Sequence, residues 1–365
     1  MKVLILGGAG DMARAALSVL ADETAVSLVT VADINERKAG AIAAGLGGKF
    51  RSARADGMDR AGTVELMKQH DVSIGFVGPF YIFEKRMSEA AIEAGVGYVS
   101  ICDDYDAYLE AAALDEKARE KSVKILTGFG NSPGITQMLA RKGYDSMDKP
   151  RRINIAWAAG SNEDVGPTNL MHFFHIFNAT TLQWLDGAEK RVRTGRGRRV
   201  VEFPPPMGKL PVYYTGHAES VSIPRNLAGL EEVTLHGGVH PPYIISIVKL
   251  FSALGLLATH RRRKAVAGFI SRVQGVFRMG GVDKSVFRVD AHGEHAGKKC
   301  HRWYTGVGPI AQITSVPAVV AAVWLAEGRF DHKPGGVYSA ERLLDDPDPF
   351  LDELKRRGIH LEYNE

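Results

Sequence analysis

Cysteine is nearly absent. The chain of 365 residues has two, Cys102 and Cys300, too few and too far apart for a disulfide framework or a paired-cysteine metal site. Long apolar runs are missing as well. The longest candidate, Tyr243 to Ala258, is interrupted by Lys249 and followed by His260-Arg261-Arg262-Arg263. It is too short to span a bilayer, so no stable membrane insertion is expected. A buried or interfacial helix is, with contact to a membrane surface as the alternative. Neither charge sign dominates: the net charge is +4, which gives no reason to expect a nucleic-acid partner. The short basic clusters, Lys190-Arg191-Val192-Arg193 with Arg198-Arg199 and His260 to Lys264, read as solvated surface rather than as an anion or membrane patch. There is no low-complexity tract and no internal repeat. The first residues read as a buried strand rather than a secretory leader, so a reducing, cytoplasmic setting is expected.

Glycine, in contrast, is abundant, with 40 residues, and its placement near the start is informative. Lys2-Val3-Leu4-Ile5-Leu6 is a short apolar strand. It runs into Gly7-Gly8-Ala9-Gly10-Asp11-Met12-Ala13 and then into a helical pattern from Arg14 to Leu20. Gly8, Gly10 and Ala13 stand in G-x-G-x-x-A spacing between strand and helix. Such a turn lets the backbone approach a pyrophosphate, and the helix N-terminus offers it free N–H groups and a positive dipole end. A second apolar strand, Ser27 to Ala32, ends at Asp33. The dinucleotide fingerprint expects a carboxylate for the ribose 2′-hydroxyl about twenty residues past the glycines. The same charge repels a 2′-phosphate, so NAD is the expected cofactor and NADP the possible one. Asn35, Arg37 and Lys38 either hold such a phosphate or form the solvated start of a helix.

The strand–helix alternation continues to about residue 130, which predicts a doubly wound parallel sheet. The predicted elements include a helix over Tyr105–Lys121. From about Pro150 the rhythm changes. Short strands appear at Arg152–Trp157, Val200–Phe203, Val212–Tyr214 and Glu232–Leu235. A helix is expected over Thr168–Asp186, and a hairpin over Ser285–Arg302 turning near His292-Gly293. The expected fold is therefore α/β: an N-terminal Rossmann domain over 1–130, then an α+β substrate and dimerisation domain over 131–310 with a mainly antiparallel sheet. A C-terminal helical segment, 311–365, is expected to return to the first domain.

Three segments carry a family resemblance: Gly78-Pro79-Phe80, Ala90 through Val99, and Gly128-Phe129-Gly130-Asn131-Ser132-Pro133-Gly134-Ile135. With the opening glycine turn and the closing Gly328-Arg329-Phe330…Pro334-Gly335-Gly336-Val337-Tyr338-Ser339-Ala340-Glu341, the chain resembles the saccharopine dehydrogenase-like family. The resemblance covers residues 1–142 well, 310–342 fairly, and the middle loosely. It implies an oxidoreductase that reduces imines, or oxidises the corresponding amines, of amino-acid-like compounds. Saccharopine reductases, carboxynorspermidine dehydrogenases and lysine 6-dehydrogenases are examples. A homodimer is also implied. The family's Tyr-Val-Asp is here Tyr98-Val99-Ser100, with acids displaced to Asp103 and Asp104. Its aromatic Thr-Leu-Arg segment is replaced by Gly216-His217-Ala218-Glu219-Ser220-Val221-Ser222-Ile223-Pro224-Arg225, which argues against lysine or saccharopine as substrate. A reductase of a C=C or C=O bond, or a non-catalytic dinucleotide-binding protein, is the alternative.

The candidate cofactor residues are Gly7, Gly8, Gly10, Asp11, Met12, Ala13, Asp33, Ile34 and Asn35. The turns Gly78-Pro79 and Asn131-Ser132-Pro133-Gly134 join them at the carboxyl edge of the sheet, where open α/β sheets bind ligands. Asp103 is a candidate proton relay or ammonium ligand. Asp104 is the same, or a plain helix N-cap. His217 and Glu219, two apart on an expected strand, share a face and form a candidate acid–base or ammonium-binding pair, or else two solvent-facing residues. Candidate substrate contacts are Phe80, Asp104, His175, Arg225 and Tyr304, with His236 and His240 as weaker ones. His172 and His175, one helical turn apart, lack a third ligand, so no metal is expected.

Overall fold

The computed structural model describes residues 1–163, 166–177, 180–277 and 280–364. The chain opens with β1 (Lys2–Leu6), α1 (Asp11–Asp22), β2 (Leu28–Asp33), α2 (Glu36–Leu46), β3 (Phe50–Arg54) and α3 (Arg60–Met67). It continues with β4 (Val72–Gly75), α4 (Phe80–Ala94), β5 (Gly97–Ser100), α5 (Tyr105–Ala112), α6 (Asp115–Glu120) and β6 (Lys124–Leu126). The middle comprises α7 (Ile135–Asp145), β7 (Lys149–Gly160), α8 (Pro167–Ile176), β8 (Thr180–Leu185), β9 (Ala188–Arg193), β10 (Arg199–Glu202), β11 (Lys209–Tyr214) and α9 (Glu219–Asn226). Next come β12 (Glu232–His240), α10 (Tyr243–Ala253), α11 (His260–Phe277), β13 (Ser285–His295) and β14 (Lys298–Gly308). The chain closes with α12 (Ile310–Ala326), β15 (Gly336–Tyr338), α13 (Ala340–Leu343), α14 (Asp348–Arg356) and β16 (His360–Tyr363).

Two compact units result. The first is Met1–Gly134 with Ala311–Leu343; the second is Ile135–Ile310 with Leu344–Glu365. The stretch expected to return to the first domain as one piece therefore divides at Leu343. Beyond it, β16 pairs antiparallel with β14 of the second unit.

In the first unit the sheet order is β15-β6-β5-β4-β1-β2-β3, and all its pairings are parallel. Val3, Leu4 and Ile5 are fully buried, as expected of a strand covered on both faces. Helix α1 buries Ala13, Ala16, Leu17 and Leu20, an i, i+3, i+4, i+7 stripe. Helix α4 ends at Gly95 in the left-handed conformation, a standard glycine C-cap. Helix α12 is buried almost all round, and its Ser315 hydroxyl donates to the Met12 carbonyl at 2.7 Å. The single helix expected over Tyr105–Lys121 is two, α5 and α6.

The second unit holds a nine-stranded sheet, mostly antiparallel, with β12 beside β7 as its parallel pair. Its core includes Ala156, Ala158, Leu210, Val212 and Val286. Several sequence-based expectations are corrected here. The helix expected over Thr168–Asp186 ends at Ile176, and Thr180–Leu185 is a strand paired with β9; residues 178 and 179 lie outside the described residues. Asp186 and Gly187, both at positive φ, form the tight turn between those strands, an Asp-Gly hairpin signal that outweighs the helical pattern. The β13–β14 hairpin turns at Ala296-Gly297, again both at positive φ. At His292/Gly293 there is a shift of register instead: the glycine marks a bulge, not the turn.

Candidate active site

The strand order of the first unit reverses at β1. Its neighbours β2 and β4 lie on opposite sides, which opens a crevice at the carboxyl ends of the strands. The glycine turn fills the near side of that crevice. Gly7 has φ +75°, and a Cβ there would lie 2.8 Å from the Phe76 carbonyl. A Cβ on Gly8 would lie 2.6 Å from Val31 Cγ1, whereas one on Gly10 would meet nothing within 4 Å except the Gly7 oxygen. The turn thus packs closely on its inner side and leaves Gly10 open to an approaching group. Gly10 caps α1 with no side chain. The N–H groups of Asp11, Met12 and Ala13 find no acceptor among the described residues. Three unpaired donors at the positive end of a helix suit a pyrophosphate. The Asp11 carboxylate lies in the same turn and is paired with Arg14 at 2.5 Å, which offsets its charge.

Asp33 ends β2. Its carboxylate accepts from Ala9 N at 3.1 Å and from Asn35 N at 2.8 Å, so it ties the glycine turn to the second strand. Each oxygen keeps a lone pair for a ribose hydroxyl. Ile34 beside it is 62% exposed, a flat apolar surface with nothing covering it. Asn35 caps α2 by accepting from Lys38 N at 3.1 Å. Its side chain has a structural task, leaving Arg37 and Lys38 as exposed cations. These residues fit a dinucleotide: unpaired donors, an open glycine and an acid at the strand end.

The turns after β4, β5 and β6 occupy the rest of that edge. Gly78-Pro79 and Ser132-Pro133 are both cis. Phe80, half-buried, is the first residue of α4. Gly128 and Gly134 have φ +76° and +117°, and a Cβ on Gly134 would lie 2.2 Å from the Gly130 oxygen. Only glycine allows this loop to close on itself. Asn131 Oδ1 is buried with no partner among the described residues, an orphan that invites a ligand donor. Asp103 is half-buried. Asp104 is fully buried and accepts from Tyr81 N at 3.1 Å, so it serves the N-terminus of α4. It makes no side-chain cap on α5, the helix whose start it precedes. Burial raises the Cys102 thiol well above its usual value, which makes it inert.

Sequence reasoning missed Glu84. It lies on the α4 face that also buries Met87, Ser88 and Ala91, an i, i+3, i+4, i+7 spacing that was the available signal. Ser100 and Thr127 hydroxyls donate to its Oε1 at 2.6 and 2.9 Å, and Tyr98 donates to Oε2 at 3.4 Å. Burial pushes its carboxyl up to about 7, against those hydrogen bonds, with the Asp104 charge adding to the rise.

In the second unit, His217 and Glu219 do not share a strand. His217 lies in the loop after β11, and Glu219 begins α9. Both are buried. The His217 ring stacks on Trp157 of β7 at 5.2 Å and 13° and meets His172 of α8 at 5.3 Å. Trp157 was absent from the expected site because an apolar strand residue carries no chemical signature in sequence. Glu219 accepts the Thr136 hydroxyl at 2.7 Å. Gln183 takes Leu235 N at 2.7 Å and donates to the Thr215 carbonyl at 3.2 Å, which anchors the loop before His217. Trp157 Nε1 and Thr215 Oγ1 are buried with no partner among the described residues. His175, half-buried, is one turn further along α8.

The remaining candidates lie elsewhere. Arg225 pairs with Glu189 at 2.7 Å in the partly exposed contact of α9 with β9. Tyr304 is buried against Tyr363, its register partner on β16, and faces α7. His236 packs on Tyr214 at 4.6 Å, and burial lowers it to about 3, so it is a neutral core histidine. His240 ends β12, where its carbonyl takes Ser161 N at 2.9 Å.

A family model described as the saccharopine dehydrogenase NADP binding domain matches residues 3–126, and one described as the saccharopine dehydrogenase C-terminal domain matches residues 130–359. Among solved structures, the chain is similar to saccharopine dehydrogenase (L-Glu forming) from Saccharomyces cerevisiae, with TM-score 0.73 and 17% identity over 100% of this chain and 99% of that one. It is also similar to a homospermidine synthase from Legionella pneumophila solved with NAD, with TM-score 0.66 and 13% identity over 100% and 91%. An amine dehydrogenase from Mycobacterium smegmatis gives TM-score 0.52 and 12% identity over 94% and 96%. At these identities the likeness shows the fold. No curated protein sequence matches the chain.

Proposed function

The chain belongs to the saccharopine dehydrogenase family, and on that premise we propose that it is an NAD(P)-dependent oxidoreductase acting at a C–N bond of an amino-acid-like substrate. The observation that carries the reading is the cradle of unpaired N–H groups at Asp11, Met12 and Ala13 beside the open Gly10. Gly7, Gly8, Ala13, Asp33, Ile34 and the turns at Gly78-Pro79 and Asn131-Ser132-Pro133-Gly134 complete the cofactor set. When bound, the nicotinamide supplies or accepts the hydride.

The chain's own residues supply position and protons. His217 is the proposed proton donor and acceptor at the substrate nitrogen. Trp157 and His172 hold its ring in one orientation, and orientation is what makes a general acid effective. Glu219, accepting from Thr136, is the proposed positioning residue for the loop that carries His217. The Asp103 carboxylate is the proposed partner for a substrate ammonium. Phe80, in the first unit, and His175, in the second, are each proposed as a substrate contact, whereas Arg225 and Tyr304 are left out because each is engaged elsewhere. A homodimer remains part of the proposal by family likeness.

The test is an absorbance assay of NADH oxidation with 2-oxo acids paired with amines, and of NAD reduction with amino acids and polyamines. The proposal expects turnover with at least one amine–carbonyl pair or its amine product. Turnover confined to enones or simple aldehydes would replace it with C=C or C=O reduction.

NAD is the proposed preference, although the matching family model is named for NADP. Asp33→Ala is expected to weaken NADH by about 10- to 100-fold, the worth of a charged hydrogen bond, and NADPH by less. Equal losses for both, measured by calorimetry, would mean that Asp33 acts only by holding the glycine turn.

A further inference from the structure

One long segment of the chain carries positive charge with no acid to offset it. Between residues 233 and 282 there is no Asp or Glu, and there are seven Lys or Arg. Against a whole-chain balance of +4, the other residues therefore sum to −3. This segment contains α10 and α11, both in the second unit.

Helix α10 is apolar on both sides. It buries Ile245 and Val248. On the opposite side Tyr243, Leu250 and Leu254, spaced seven and four residues apart, form one stripe. They are 46%, 56% and 64% exposed. Leu256, in the turn that follows, and Phe269 of α11 are exposed as well. The basic residues lie beside these apolar ones. Arg262 donates to the Gly255 carbonyl at 2.8 Å and Arg263 to the Leu257 carbonyl at 3.4 Å. Both guanidinium groups therefore fold back over the turn that presents Leu254 and Leu256, while Arg261 and Lys264 stay exposed.

We propose that the α10–α11 face docks on an anionic lipid surface. Exposed leucines and aromatics next to Arg and Lys are the composition of helices that lie in the membrane interface, with the side chains among the acyl chains and the cations at the head groups. Among the described residues no helix is long and apolar enough to cross a membrane, so the segment would lie on the surface. Two other occupants fit less well. A second copy of the chain would bring two acid-free basic faces together, which repel. A nucleic acid would satisfy the cations but not a leucine stripe.

The test uses the full chain and sucrose-loaded vesicles, either pure phosphatidylcholine or with about 30% phosphatidylserine, the latter chosen to give a strongly negative surface. The protein is expected to sediment with the anionic vesicles at low salt, at least tenfold more than with neutral ones, and to be released at high salt. Leu250→Ser with Leu254→Ser, and separately Arg261→Gln with Arg262→Gln, are each expected to reduce binding at least tenfold. All four positions are exposed, so melting temperature should hold; if the leucine pair fails to fold, the arginine pair carries the test. Absence of wild-type binding to anionic vesicles, or binding unchanged in both double variants, would overturn the proposal. So would a wild-type dimer, seen by sedimentation equilibrium, that ignores vesicles and that the leucine variant converts to monomer; the face would then join two copies.

Discussion

Glu84→Ala is expected to cost about 3–5 kcal/mol of stability, a large share of what a domain has. The substitution leaves a cavity between α4 and the sheet. It also strands the hydroxyls of Ser100, Thr127 and Tyr98, which now donate to the carboxyl group, and each buried orphan is costly. Glu84→Gln behaves differently. Its amide oxygen keeps the Ser100 and Thr127 bonds, and no charge is buried. The native carboxyl titrates at about 7, against 4.5 for the free side chain. Below 4.5 both states are protonated and the group is neutral in its effect. Between 4.5 and 7 only the unfolded state gives up its proton, so stability declines as pH rises. Above 7 the full penalty applies, about 3 kcal/mol. Urea melts at pH 5 and pH 8 should show the Gln variant gaining on the wild type at pH 8. A wild-type stability that is flat or rising across that interval would contradict the buried-carboxyl account.

His217→Ala is expected to lower kcat by about 10²- to 10⁴-fold, the usual worth of a positioned acid–base group, with NADH affinity unchanged. His217→Phe separates chemistry from packing. It keeps a ring against Trp157, so its melting temperature should stay near wild type while kcat falls as far as in the alanine variant. Activity retained in the phenylalanine variant would reduce His217 to a packing role. A pH profile that loses one limb in both variants would identify the proton His217 carries.

The first unit was legible from sequence because its physics is local. Strands covered on both faces read as unbroken apolar runs, and the turn from β1 to α1 advertises its glycines at fixed spacing. The second unit was legible only in class. Two of its hairpins, β8–β9 and β13–β14, close on two-residue turns, and Asp186-Gly187 falls at the end of the stretch whose pattern predicts a helix over Thr168–Asp186. Gly293 reads as a turn in sequence, although the positive-φ pair is Ala296-Gly297. The candidate site split along the same line. Asp33 and the glycines are held where their spacing predicts. Asp104 serves the start of α4, a helix more than twenty residues earlier in the chain, a contact that no local pattern encodes. His217 stands out in sequence as a titratable side chain, but its setting against Trp157 depends on β7 lying under the loop. That is a matter of tertiary packing.

The most direct measurement is calorimetric titration of the purified protein with NADH and NADPH. The account predicts that NADH binds with a 1:1 stoichiometry per chain and more tightly than NADPH. Binding of neither would contradict it and leave the glycine turn as a scaffold without a cofactor.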